Sequence, residues 1–471
     1  MDNTTEKGHH AHHLSESSLS TITTMVAATN LTPEEVQIEE KRIVRALDKH
    51  MLPLFCVFYF TDFLDRANIG NATLAGIQSD LNLSSQELSF AISAFYITYI
   101  IFEVPSNCIL KCTRASIYLS SIMLGWGLIT LILAFVTNFT GLFVCRLLLG
   151  VAQSGYVPAI LYQMSLVYKP SEQTMRVAIL LTMASLSGMV SGPLAYASAS
   201  VSIGLHGWQV LFLLEGIPTV LLSFVSYWLL FDRLVDVSWL TDTQKEVHMH
   251  YRLPVKEEDN GERISWRTLL VTFTDWKVWM FSLVYFFQAT CMTSLSIFLP
   301  TIIKGFGYPT LTSQLLTAPP CVVGSVFVLL SGYLTDRTNY RTPLLLIGFA
   351  VMALGYILLL IVHDPWVLYG SLFVVTSGVG IVAAPTVGWS SVNFPNPTIR
   401  AVAVASVVMI GNFGSVLASF LYPTANAPHH FFGNAFCLGS ATLGFITSGL
   451  TGFFLYRANR RFHNASIKYH F

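Results

Sequence analysis

Twelve apolar runs of roughly 18 to 25 residues divide this chain, and at about 1.5 Å per helical residue each can cross a hydrocarbon layer about 30 Å thick. Their expected limits are residues 51–73, 88–110, 116–136, 140–163, 176–199, 208–231, 278–300, 312–334, 343–362, 366–388, 401–422 and 431–456. The composition is 53% hydrophobic and 11% charged, where a soluble domain carries about 25% charged residues. The expected fold class is therefore an all-α membrane protein with twelve transmembrane helices, six on either side of a long polar segment.

That segment, within residues 233–275, reads as a cytoplasmic linker with short helical pieces. Residues 1–48 read as a disordered tail that ends in the basic, helix-forming stretch KRIVRALDKH, and residues 458–471 as a second tail. The opening MDNTTEKGHHAHHLSESSLS lacks the apolar core of a cleavable signal peptide, so the first span is expected to act as its own insertion signal. The HHAHH cluster reads as flexible tail and not as a metal site, because nothing fixes its coordination geometry. Seven scattered cysteines give neither a disulfide ladder nor a metal cluster. Cys108 and Cys112, one turn apart, read as packing residues.

The basic residues orient the chain. With the amino terminus in the cytosol, 23 of the 26 Lys and Arg residues fall on inner segments, Lys304 alone lies outside, and Arg66 and Arg146 lie within spans. The positive-inside rule then puts both termini in the cytosol, and a miscounted helix would invert every later loop.

Charges inside spans carry the functional signal. TDFLDRANIG places Asp62, Asp65 and Arg66 in the first span, with Asp62 and Arg66 on one face at i, i+4. Arg66 and Arg146, on the first and fourth spans, are each expected roughly 10 Å below the outer surface, counting 1.5 Å per residue. Gln153 follows Arg146 by seven residues on the same face, Glu215 lies in the sixth span and Glu103 toward the inner end of the second. An ionised group at the bilayer centre costs at least about 2.5 to 3.5 kcal/mol, so such residues need a partner or a water-filled cavity. Two readings stay open: an internal ion pair, or a binding site. A pair of arginines suits a carboxylate, to which a guanidinium donates two parallel hydrogen bonds. An aspartate beside an arginine can hold or release a proton as substrate arrives, so Asp65, Asp62 and Glu215 are the proton-coupling candidates, driven by a proton gradient and needing no cofactor.

Several ordered motifs resemble the major facilitator superfamily, and within it the anion:cation symporter family, in particular its fungal allantoate, nicotinate and pantothenate permease branch. They are FLDRANIGNA, FEVPSNCILK, RLLLGVAQSGYVPA, GWQVLFLLEGIPT, FLPTIIKGFGY, QLLTAPPCVVG and WSSVNFPNPTIRAVAVASVVMIGNFG, and the resemblance runs from about Leu52 to Arg457. It implies two six-helix bundles whose first, fourth, seventh and tenth helices line a central cavity, alternately exposed by rocking. It further implies that Asp65 and Arg66 serve proton coupling and anion binding, with Arg146 the matching fourth-helix arginine. Related symporters often carry glutamate where this chain has Gln153, an amide that cannot carry a proton.

GYLTDR matches the superfamily's loop motif, which implies a cytoplasmic gate of Asp336 and Arg337, paired in the first half by Lys111 and Arg114. GMVSGPLAYA in the fifth span has Gly188 and Gly192 in the small-xxx-small spacing that lets helices approach closely. In the second half Tyr285, Gln288, Trp389 and Asn412 are the further candidates for contacting substrate. Asn82, in an outer loop, is a candidate glycan acceptor. The expected function is secondary transport, proton-coupled symport of a small organic anion at the plasma membrane. The alternatives are an organic anion exporter or exchanger on the same fold, and a nutrient receptor that signals without transport. No hydrolase triad, zinc motif or phosphate loop argues for an enzyme, and a formal net charge of zero gives nucleic acid no footing.

Overall fold

The computed structural model describes residues 32–201, 204–232, 234–248, 272–338, 340–394, 397–423 and 430–461. It is all helical. Ten helices among the described residues are long and apolar enough to cross a membrane. Two further crossings complete the set: Leu52–Leu74, which carries Asp62, Asp65 and Arg66, and the pair Pro397–Gly411 and Phe413–Ala418, interrupted at Asn412.

In the first half the remaining spans are Ser85–Cys112, Ala115–Leu133, Phe139–Gln153 continued by Tyr156–Val167, Pro170–Ser200 and Gly207–Leu229. In the second half they are Trp276–Gly305, Thr310–Leu315 continued by Ala318–Thr338, Arg341–Ile361, Pro365–Val392 and Phe431–Arg461. Spans four, eight and eleven are thus each broken once. Irregular backbone at membrane depth is tolerated where protein or a cavity covers it, and each break here is flanked by buried residues such as Gln153, Gln314 and Gly411.

Each half packs within itself, the third span against the sixth and the second against the fourth, then the ninth against the tenth and twelfth. The halves meet where the fifth span lies along the eighth and the first along the seventh. Small residues decide how close these crossings come. A Cβ at Gly70 would overlap the Ile297 backbone carbonyl, and one at Gly188 would lie 2.9 Å from Cys321 Sγ. Gly188 and Gly192 of the fifth-span motif both face the eighth span, so their spacing serves helix contact. Large apolar side chains point outward all round, Trp228 at 82% exposed and Ile361 at 67%, as hydrocarbon rather than water requires.

The end of the polar amino-terminal stretch is a packed element. Pro33–His50 forms a helix started by a Thr32 and Glu35 capping box, and the hydrogen bonds from Thr32 hold the Glu35 carboxyl below its ordinary range. Val36, Ile43 and Leu47 recur on its buried face. Asp48 pairs with Arg176 at 2.6 Å, Glu40 with Lys169 at 2.7 Å, and His50 stacks on Trp239 of the linker. The first span follows without a loop, so this helix marks one face of the molecule, here called the tail face.

Candidate substrate cavity

The first span sorts its side chains by face. Tyr59, Phe63 and Arg66, at i, i+4 and i+7, line a cavity of about 610 Å³ between the halves. Asp62 and Asp65 occupy the adjoining face and are buried inside the first half, 0% and 3% exposed. Arg66 Nη2 lies 2.7 Å from Asp62 Oδ2, and its guanidinium carbon sits 4.7 Å from the ring centres of both Phe63 and Tyr99. With Phe95 at 5.8 Å as well, one carboxylate and three aromatic rings hold this cation at the cavity wall.

The cavity lies in the half of the molecule nearer the tail face. Its walls are the early first span, the late second span with Tyr99, Glu103 and Asn107, the late fourth span, the early fifth, Tyr285 of the seventh, Val387 and Ser391 of the tenth, and the eleventh span from Arg400 to Asn412. A deeper recess of about 120 Å³ shares Arg66, Tyr99, Tyr285 and Asn412 and adds Tyr96, Gln288 and Thr293. Toward the opposite face the halves close. Gly70 meets Ile297, Phe90 and Phe420 pack edge to face at 5.5 Å, and a void of about 90 Å³ is lined by residues including Asn71 and Ser191.

Behind the wall lies a buried polar cluster. Asn68 donates to Glu215, Asn71 donates to Ser191, and Asp65 feels Asp62, the Trp126 indole and Arg146. Glu215 in turn is electrostatically coupled to Asp65. Three carboxylates and two guanidiniums thus share one dry region in the first half, and Arg66 is the member that reaches the cavity.

The expected residues divide accordingly. Arg66, Tyr285, Gln288 and Asn412 converge on the cavity or its recess. Arg146 departs from the expectation of two arginines on one wall: it is 2% exposed, lines neither space, and has Asp65, Tyr96 and Cys145 as its neighbours. Burial explains this, because a guanidinium facing the bundle meets Asp65 before it meets the cavity. Gln153 also departs, fully buried at the fourth-span break with no hydrogen bond to either amide atom. Trp389 is likewise core, packed 5.1 Å from Phe281. Asp62, Asp65 and Glu215 are buried as a proton-holding group requires, though none lines the cavity. Arg337 is exposed with Tyr333 beside it at 5.4 Å, and Arg114 is exposed at the start of the third span. The side chains of Lys111 and Asp336, like the HHAHH cluster, lie outside the described residues. No group of three metal-ligating side chains occurs among those described.

Three residues were not singled out as substrate contacts. Tyr99 and Glu103 follow Tyr96 at i+3 and i+7, which puts all three on one helix face, but periodicity alone does not say that this face meets the first span. Arg400 reads in sequence as a loop charge and here lines the cavity while its Nε donates to the Phe394 carbonyl.

Twelve helices in two packed halves, with a one-sided cavity between them and a buried charge cluster against its wall, define a secondary membrane transporter. The Major Facilitator Superfamily family model matches residues 55–419, and the chain belongs to that superfamily. It is 32% identical over 387 residues to an uncharacterized transporter of Schizosaccharomyces pombe, covering 82% of this chain and 78% of the relative. It is also 32% identical to the MFS transporter prlL of a fungal species, covering 84% and 83%. Among solved structures, a D-xylose-proton symporter superposes with a TM-score of 0.67 at 16% identity, covering 85% and 96%. A bacterial homologue of the human lysosomal transporter Spinster, inward-facing and occupied, superposes with a TM-score of 0.66 at 14% identity, covering 88% and 97%. These two likenesses speak for the fold. The protein is therefore a multi-pass membrane transporter and not an enzyme.

Proposed function

We propose that this transporter is a proton-coupled symporter of a small organic anion, of the anion:cation symporter type and its fungal carboxylate permease branch. The observation that carries the reading is Arg66, a cation on the wall of a mostly apolar cavity shared with Glu103 and Arg400, paired from behind by Asp62. A carboxylate arriving at Arg66 competes with Asp62 for the guanidinium and weakens that pair. The freed aspartate, or Asp65 and Glu215 beside it, then takes a proton at lower cost, because a dry carboxylate without its cation favours the neutral form. Substrate and proton load together.

The distribution of Lys and Arg supports a cytosolic tail face, which makes the cavity inward-facing and the opposite closure an outer gate. On this reading Lys111, Arg114, Asp336 and Arg337 exchange ion pairs when the inner side closes. Placement in the plasma membrane completes the proposal. The test is uptake of labelled nicotinate, pantothenate and allantoate into proteoliposomes with and without an inward proton gradient. Gradient-dependent accumulation of one of them is expected. Exchange without a gradient requirement would instead favour the antiporter, and binding without flux the receptor.

A further inference from the structure

Glu103 is the unexplained charge of the cavity. It lies on the second span one turn nearer the tail face than Tyr99, whose ring is 4.7 Å from the Arg66 guanidinium. Its residue is 5% exposed, it lines the cavity together with Arg66 and Asn107, and its Oε2 has no hydrogen-bond partner. A carboxylate this buried needs a partner, and leaving it without one is destabilising. No close ion pair among the described residues reaches it, and the charge that acts on it is Arg66 on the same cavity wall. Its position is also the wrong sign for a cavity that takes simple anions, since it repels any second carboxylate.

The wall is thus bipolar. Arg66 offers a cation, and Glu103, one helical turn or about 6 Å along the second span from the Tyr99 ring that faces it, offers an acceptor. We propose that Glu103 is a specificity residue that receives an N–H donor of the substrate, so that the transported class is carboxylates that also carry an amino group or other N–H donor. This rests on the reading of Arg66 as the carboxylate site. A substrate with both groups satisfies both buried charges at once. One with only the carboxylate leaves Glu103 unpaired, and a dicarboxylate meets it with like charge. Discrimination of this kind is strong because the penalty falls on the site's own buried polar group.

Three probes of one chain length separate these cases: hexanoate, 6-aminohexanoate and adipate, titrated into the purified full-length protein without a proton gradient, with intrinsic fluorescence as readout. The expected order is 6-aminohexanoate tighter than hexanoate by roughly tenfold or more, the scale of a charge-assisted hydrogen bond, with adipate weakest. Glu103→Gln should remove that preference and improve adipate, while Glu103→Asp should keep the order. Equal affinity for the three probes would overturn the assignment, as would binding of none of them. A uniform loss across the probes in Glu103→Gln would also overturn it, since a gating or purely structural role predicts that pattern. Failure of the underlying reading looks different: hexanoate binding that survives Arg66→Ala removes Arg66 as the carboxylate site and leaves the Glu103 comparison standing.

Discussion

Arg66 is held by Asp62 at 2.7 Å and by three aromatic rings, yet it is the one guanidinium of the buried cluster that touches the cavity. Arg66→Ala is expected to lower uptake at least a hundredfold at normal abundance, because it removes the anion contact and leaves Asp62 without its cation. Arg66→Lys should retain a small part, since an ammonium keeps the charge but loses the two-pronged geometry. Labelled-substrate uptake, normalised to protein in the membrane, checks both. Arg146→Ala should also impair transport, but through Asp65, so direct binding measured at low pH, where Asp65 is protonated, should survive in Arg146→Ala and vanish in Arg66→Ala. The charges themselves were visible in TDFLDRANIG and RLLLG. Which of the two arginines faces the cavity was not, because helical spacing gives relative faces and only packing against the sixth span and the Trp126 indole places Asp65 and Asp62 inside the first half.

At the scale of elements, the apolar runs located every crossing to within a few residues, and the three interrupted helices escaped notice. Gln153 and Leu315 stand beside breaks followed within a turn by Pro158 and by Pro319 and Pro320, and Asn412 at a break without proline; all three sit inside long apolar runs, so hydropathy passes over them unchanged. Only the last ten residues of Pro33–His50, KRIVRALDKH, were legible as a basic helical stretch, the earlier turns reading as disordered tail, and the ties to Lys169 and Arg176 join residues more than 120 positions apart and have no local signature. Gly70 tests the crossing of the first and seventh spans. With a Cβ there overlapping the Ile297 carbonyl, Gly70→Val should hold those helices apart and keep the face opposite the tails open. Thiol labelling of a cysteine placed at Ser191 should then rise severalfold from that side, and uptake should fall at least tenfold. Unchanged labelling would mean that the crossing is not part of the closure.

For the whole molecule, the cavity near the tail face and the closed opposite face describe one end of an alternating cycle. Phe90 and Phe420 pack across the halves at the closed end. Replacing both with cysteine and bridging them with a short bifunctional reagent, in a background lacking the exposed Cys108, should lock this state and stop uptake, while substrate binding from the tail side persists. On the proposed mechanism, coupling runs through the buried carboxylates beside Arg66. The most direct measurement is substrate-driven proton entry into proteoliposomes loaded with a pH-sensitive dye, wild type against Asp65→Asn. Acidification on adding substrate to the wild type, abolished in Asp65→Asn while substrate exchange continues, is the predicted result. Acidification of equal size in the variant would contradict a proton site at Asp65, and substrate uptake without acidification in the wild type would contradict symport itself.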